Sequence, residues 1–275
     1  MINSNEAKRI LKYSKRLKSE SSQPGFLKKL GVYFIVVWIF MTRIPLPKKI
    51  LPSTPLLPSP DAMIMMPLVG GVLALTATLP AWILAEVVPQ SAAAWISCGF
   101  YTILGWSLHL DGWGDLWDGI GSGRRGEAMR AIMKDSRMGT FGVVGLILAL
   151  STRAALLSVI GVDKWLCVCI VSGGVARFAA VVTAYAGEYP WGAGIGRDTV
   201  QGFKGYQLFC AFIASCLLFP FAPSGWTIGM AASSLAAIGL AMWTNKNLGG
   251  TNGDVLGASA VLSEILTLTA CAIQL

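Results

Sequence analysis

Charge is scarce in this chain. Only 13% of its 275 residues are Asp, Glu, Lys or Arg, while 54% are hydrophobic and mean hydropathy is +0.62. That balance excludes a soluble domain of useful size. Histidine is rarer still, with His109 alone. The six cysteines, at 98, 167, 169, 210, 216 and 271, all fall in apolar runs, with no CxxC pair among them. They read as buried thiols rather than disulfides or metal ligands. No internal repeat is visible. No short apolar segment with a small-residue cleavage site opens the chain, so no cleavable signal peptide is expected.

What the chain has instead is long uncharged runs. Ala62 to Ala85, Val87 to Leu108 and Gly205 to Thr244 carry no charge. The last is punctuated by Pro220, Pro223, Ser224 and Gly225, which mark a turn between two spans. Three more runs are each broken by a single charge: Met138 to Val162 by Arg153, Trp165 to Gly187 by Arg177, and Val255 to Leu275 by Glu264. Crossing a bilayer takes roughly 20 apolar residues. The expected fold is all-α, a polytopic transmembrane helix bundle of about six or seven spanning helices with short interfacial helices. Gly31 to Thr42 is too short to cross unaided at about 1.5 Å per residue, so it reads as an interfacial or re-entrant helix unless residues 26–30 extend it. Six prolines between Pro45 and Pro60 make an irregular loop at the membrane surface.

The formal net charge of +8 is concentrated at the start: residues 1–30 hold eight Lys or Arg and two Glu. The positive-inside rule puts this end in the cytoplasm. Residues 1–30 are thus read as a basic cytoplasmic extension and 31–275 as one integral-membrane domain. Ala7, Ile10, Leu11 and Leu17 with their basic neighbours have the pattern of an amphipathic helix on the headgroups. A basic tail beside apolar spans anchors topology, so no nucleic-acid partner is expected.

The stretch His109-Leu-Asp-Gly-Trp-Gly-Asp-Leu-Trp-Asp-Gly carries the chemistry. Asp111, Asp115 and Asp118 fall at i, i+4 and i+7, one face of a helix. Carboxylates beside a spanning run are expensive unless they hold cations, and oxygen ligands suit hard divalent ions. The stripe is about 10 Å long. Two ions about 4 Å apart could share Asp115, with further ligands from another helix. Asp254, among small residues that permit close helix approach, is the first candidate for that, and Asp135 the second. Trp113 and Trp117 lie off the acidic face. His109 could take a proton from a hydroxyl, but it lies two residues from Asp111. On a continuous helix it faces away from the aspartates, so the catalytic role requires the helix to begin at Asp111 or Gly112.

Clustered cations follow the stripe: Arg124, Arg125, Arg130, Lys134 and Arg137. Metal-binding carboxylates next to guanidiniums suit a phosphate ester, since Mg²⁺ is completed by phosphate oxygens and arginine forks bind phosphate bidentately. Arg137, within three residues of Asp135 and heading the next span, is the first choice for that contact, and Arg43 the second.

Five segments, in this order, resemble the cobalamin synthase family, the adenosylcobinamide-GDP ribazoletransferases. They are Phe40-Met-Thr-Arg-Ile-Pro-Leu-Pro, Met66-Pro-Leu-Val-Gly, the His109–Gly119 stretch, Ile132-Met-Lys-Asp-Ser-Arg-Met-Gly-Thr-Phe-Gly, and Gly249-Gly-Thr-Asn-Gly-Asp-Val-Leu-Gly-Ala. The resemblance runs from about Val32 onward. Asn252 stands where the family often has Thr, residues 187–203 match poorly, and the basic extension is longer than in short members. The resemblance implies a reaction. A ribose hydroxyl of α-ribazole, or of its 5'-phosphate, attacks the cobinamide-side phosphate of adenosylcobinamide-GDP and GMP leaves. It also implies Mg²⁺ on Asp111, Asp115, Asp118 and Asp254, with Asp254 as an alternative base. Lys134, Arg137, Arg43, Asp135 and Asn252 then line the substrate, and His109 is a further catalytic candidate. The expected site is the cytoplasmic face of a bacterial or archaeal inner membrane; monomer and homo-oligomer both remain open.

Two other classes compete. CDP-alcohol phosphotransferases also use aspartates on membrane helices, but their last two aspartates lie four apart, and an Ala-Arg pair follows their Asp-Gly. Here Asp115 and Asp118 are three apart and no Ala-Arg follows Gly112. A cation-coupled transporter also needs intramembrane carboxylates; a repeat of the stripe in the second half, expected of many such folds, is missing.

Overall fold

The computed structural model describes residues 25–51, 58–192, 197, 200 and 202–274. The amphipathic pattern of residues 7–17 lies outside them. The described residues contain helices and turns and no strand, as the all-α reading requires.

Short elements come first among the described residues. Helix α1 (Phe26–Met41) leads to an extended segment and a 3₁₀ turn at Lys48–Ile50, and α2 is the single turn Pro60–Met63. Pro60 begins that turn and the Ser59 hydroxyl accepts the Ala62 N–H at 3.3 Å, the usual way to satisfy a helix start. Asp61 then accepts from Tyr206 Oη at 2.6 Å and Gln207 Nε2 at 2.8 Å, tying α2 to a later helix. These two bonds hold the Asp61 carboxyl below its ordinary range.

The bundle follows: α3 (Met66–Leu84), α4 (Gln90–Leu104), α5 (Leu108–Gly121), α6 (Gly126–Met133), α7 (Thr140–Val159), α8 (Trp165–Ala186), α9 (Gly205–Cys216), α10 (Trp226–Asn247) and α11 (Gly253–Gln274). Among the described residues five helices are long and apolar enough to cross a membrane: α3, α7, α8 with the turn before it, α10 and α11. The chain is an integral membrane protein. Helices α1, α4 and α9 have 16, 15 and 12 residues, short of a full crossing on their own.

Helix α8 is the axis of the bundle. Its apolar window is 89% buried, far more than the one-third of α7 or α10. It packs against α3, α10 and α11. Small residues set the closest crossing: a Cβ on Gly173 would sit 2.6 Å from the Gly70 carbonyl oxygen of α3, so the two backbones touch as in other membrane pairs.

The cysteines are free thiols. Cys98, Cys169 and Cys271 are buried, but Cys210 is exposed on α9. An apolar run in a membrane bundle has a face toward lipid as well as one toward protein, so run membership alone does not bury a side chain.

The uncharged run from Val87 to Leu108 is not one helix. It breaks at Gly105–Ser107, where Trp106 (φ 58°) and Ser107 (φ 54°) both adopt left-handed backbone. Such a conformation is costly for residues with a Cβ. Three contacts hold it: Ser107 N–H to Thr102 O at 2.9 Å, Arg43 N–H to Leu104 O at 2.8 Å, and the Arg43 guanidinium 3.4 Å above the Trp106 ring. The turn sets where α5 begins.

Candidate active site

Helix α5 is where the acidic residues lie, and glycines decide how close its neighbours come. Gly112 faces the start of α11 so tightly that a Cβ there would lie 2.7 Å from the Asp254 Cα. One turn back, a Cβ on Gly257 would meet the His109 Cα at 3.2 Å. The two backbones are in contact, and Asp254 therefore stands beside the acidic face of α5. Asn252 caps α11: its Oδ1 accepts the Val255 N–H at 3.1 Å, and its Nδ2 donates to Asp254 Oδ2 at 2.8 Å. Its amide is thus committed to orienting Asp254.

The three aspartates of the stripe are not equivalent. Asp118 reaches the first turn of α7. Its Oδ2 accepts from the Gly139 N–H and its Oδ1 from the Gly142 N–H, both at 2.7 Å. A carboxylate at a helix N-terminus satisfies donors that no carbonyl can. Asp115 lies between. Helix α5 is outside the five crossing helices, and there burial, then the Asp254, Asp111 and Asp118 charges, push the Asp115 carboxyl up to about 7. Trp113 and Trp117 pack on α7, with Trp113 Nε1 donating to Gly145 O at 2.8 Å and Trp117 against Gly145. They lie off the acidic face, as their spacing predicts.

The loop between α6 and α7 brings the cations. Arg137 donates to both Asp135 oxygens, through Nε at 3.1 Å and Nη2 at 2.8 Å, and its backbone N–H adds a third bond at 3.0 Å. This pairing holds Asp135 down to about 2. The pair is exposed. Lys134, at the end of α6, lies within electrostatic reach of Asp254. Residues 188–192 tie α6 to the start of α11. Thr251 N–H donates to Glu188 O at 2.7 Å, and Trp191 bonds Glu127 on α6 while Arg130 lies over its ring.

His109 is not part of this group. Helix α5 starts at Leu108, so the condition for a catalytic histidine on the acidic face is not met. The imidazole instead lines a cavity with Tyr101, Arg153, Arg177 and Glu264. Arg43, fixed over Trp106, is at the N-terminal end of α5 rather than at Lys134 and Arg137.

The donor set of Asp111, Asp115 and Asp254 is all carboxylate oxygen, the chemistry that hard divalent cations take. Among the described residues no three Asp, Glu, His or Cys side chains converge closely enough to hold an ion by themselves. An ion at these carboxylates would need water or substrate oxygens to complete its coordination.

Comparison with known proteins gives the family. The model of the cobalamin-5-phosphate synthase family matches residues 33–272. The chain belongs to that family. The adenosylcobinamide-GDP ribazoletransferase of Syntrophobacter fumaroxidans is 34% identical over 221 residues, 77% of this chain and 86% of that protein. The protein of the same name from Vibrio parahaemolyticus is 30% identical over 256 residues, 90% of this chain and 94% of its own. That from Geotalea daltonii is 32% identical over 214 residues, 75% and 84%. No solved structure matches. The matched region takes in all five segments singled out from residue order.

Within this member of the cobalamin-5-phosphate synthase family, residue reasoning passed over one cluster. Arg153, Arg177 and Glu264 were visible only as single charges interrupting three apolar runs. That is the signal: an ionisable residue inside a crossing helix is a candidate site by default, and three of them on different helices invite the question of whether they meet.

Proposed function

We propose that this chain is a Mg²⁺-dependent adenosylcobinamide-GDP ribazoletransferase with its site on the cytoplasmic side of the membrane. A ribose hydroxyl of α-ribazole or its 5'-phosphate forms a new O–P bond at the cobinamide-side phosphate. The bond from that phosphorus to the bridging oxygen breaks, and GMP leaves with it. The hydroxyl proton passes to a carboxylate of the site, for which Asp254, oriented by Asn252, is the residue in position.

The observation that carries this reading is the crossing at Gly112, which puts Asp254 of α11 against the acidic face of α5. Asp111, Asp115 and Asp118 would hold the ion, Asp118 through the lone pairs left beyond its two backbone bonds, while Asp254 takes the proton. Bound there, Mg²⁺ supplies neutralisation of the diphosphate and of the leaving GMP. Lys134 and Arg137 contact the diphosphate; Arg137 must exchange part of its Asp135 pairing to do so. Arg43 holds the start of α5 and contributes to the substrate from that end. Family membership and the relatives' names support the reaction. The excess of basic residues before α1 and in residues 124–137 supports the cytoplasmic side.

The test is GMP release and cobalamin product from purified protein in detergent given adenosylcobinamide-GDP, α-ribazole and Mg²⁺, with and without EDTA. Metal-dependent release matched by product is expected. A folded, monodisperse sample that forms no product with either form of ribazole would overturn the proposal.

A further inference from the structure

Arg153 of α7, Arg177 of α8 and Glu264 of α11 meet inside the bundle. Arg153 Nε donates to Glu264 Oε1 at 2.9 Å, and Arg177 Nη1 lies 3.8 Å from Oε2. The three residues are 5%, 3% and 7% exposed. Both guanidiniums lie over the Tyr101 ring, at 4.6 and 5.2 Å, and Arg177 also donates to the Tyr101 hydroxyl. Together with Ser107 and His109, these residues line a cavity of about 50 Å³ at the turn between α4 and α5.

The charges do not balance. Two guanidiniums face one carboxylate. The other polar neighbours, Tyr101, Ser97 and Cys98, offer dipoles and no negative charge. Arg153 Nη2 and Arg177 Nε are buried without a hydrogen-bond partner. Buried guanidiniums are stable when paired, and an unpaired one at membrane depth is among the costliest arrangements a bundle can hold. The cavity beside them has room for a few water-sized groups.

We infer that this cavity is a binding site for a compact inorganic monoanion, from chloride to phosphate in size, which completes the charge balance of the Arg153–Glu264–Arg177 cluster. The site is separate from the aspartate stripe, because His109, its wall on α5, faces away from Asp111 and Asp115. It does not depend on the reaction proposed above. Its role is to fix three crossing helices around the turn from which α5 starts.

The test uses the full chain in an uncharged detergent with EDTA. Sodium gluconate is replaced stepwise by chloride or by inorganic phosphate at constant ionic strength, and the thermal midpoint is followed by tryptophan fluorescence. A saturable rise with at least one of the two ions is expected in the wild type. Arg177→Met keeps the closer Arg153–Glu264 pair and removes the surplus charge. Its apparent anion affinity should fall about tenfold or more, the scale of one lost charge-assisted contact. Glu264→Gln, with two cations unopposed, should bind the anion more tightly. If Arg177→Met does not fold, Arg153→Met leaves the Arg177–Glu264 pair and reads the same effect. A flat response in the wild type, or a rise that survives unchanged in the arginine variant, would overturn the site.

Discussion

Asp118 accepts the backbone N–H of Gly142 at 2.7 Å, across from the last turn of α5 to the first turn of α7. With the matching bond from Gly139, one carboxylate both closes the acidic stripe and starts the next helix. Asp118→Ala should leave two part-buried donors without their partner, at up to about 1–3 kcal/mol for a fully buried one. The expected result is a lower thermal midpoint together with lost turnover. Turnover lost at an unchanged midpoint would mean that Asp118 acts on the ion and not on the helix.

Asp115→Asn should move stability and activity in opposite directions. Removing the charge relieves repulsion from Asp254, Asp111 and Asp118, so the metal-free protein should melt higher than wild type. Catalysis should fall, and the Mg²⁺ concentration for half-maximal rate should rise. Full turnover at limiting Mg²⁺ would rule out the metal assignment.

The same carboxyl gives a pH dependence. Its folded-state value of about 7 lies above the ordinary 3.8, so the folded protein binds the extra proton between these limits. Stability in the absence of divalent cations should therefore fall as pH rises from about 4 to about 7, then level off. Added Mg²⁺ should raise the midpoint more at pH 8 than at pH 5. Melting curves at the two pH values, with and without the ion, read this directly. A metal-free midpoint that climbs over this range would contradict it.

Gly112→Ala tests the crossing that brings Asp254 to the stripe. The new Cβ would press on the Asp254 backbone and push α5 and α11 apart, at a cost of about 1–3 kcal/mol typical of overpacking. Activity should drop further than stability, because the carboxylates separate. An active Gly112→Ala enzyme would show that Asp254 is not needed at this distance.

Much of this was legible in residue order. Helical spacing put Asp111, Asp115 and Asp118 on one face and the two tryptophans off it. Small residues around Asp254 announced the close approach that Gly112 and Gly257 make. Other features were not legible, for physical reasons. The break at Trp106–Ser107 has no glycine at its left-handed positions and no proline, and it is held by Arg43, some sixty residues earlier in the chain. The cap that Asp118 provides is a contact between helices, so its partner glycines cannot be paired with it from spacing. Asn252 reads as a free amide until the start of α11 is known. The meeting of Arg153 and Arg177 with Glu264 depends on how three helices rotate about their axes, which an apolar pattern with almost no amphipathic asymmetry leaves undetermined.

That meeting also orders the making of the protein. Glu264 follows Arg153 by 111 residues and belongs to α11, the last helix among the described residues. Chains emerge from the ribosome N-terminus first, so α7 and α8 enter the bilayer carrying two guanidiniums whose carboxylate has not yet been synthesised. Until α11 arrives, the two guanidiniums lack the carboxylate that pairs them. The cluster is thus completed only when α11 is made, and a stop before Glu264 leaves two buried guanidiniums without the carboxylate that pairs them.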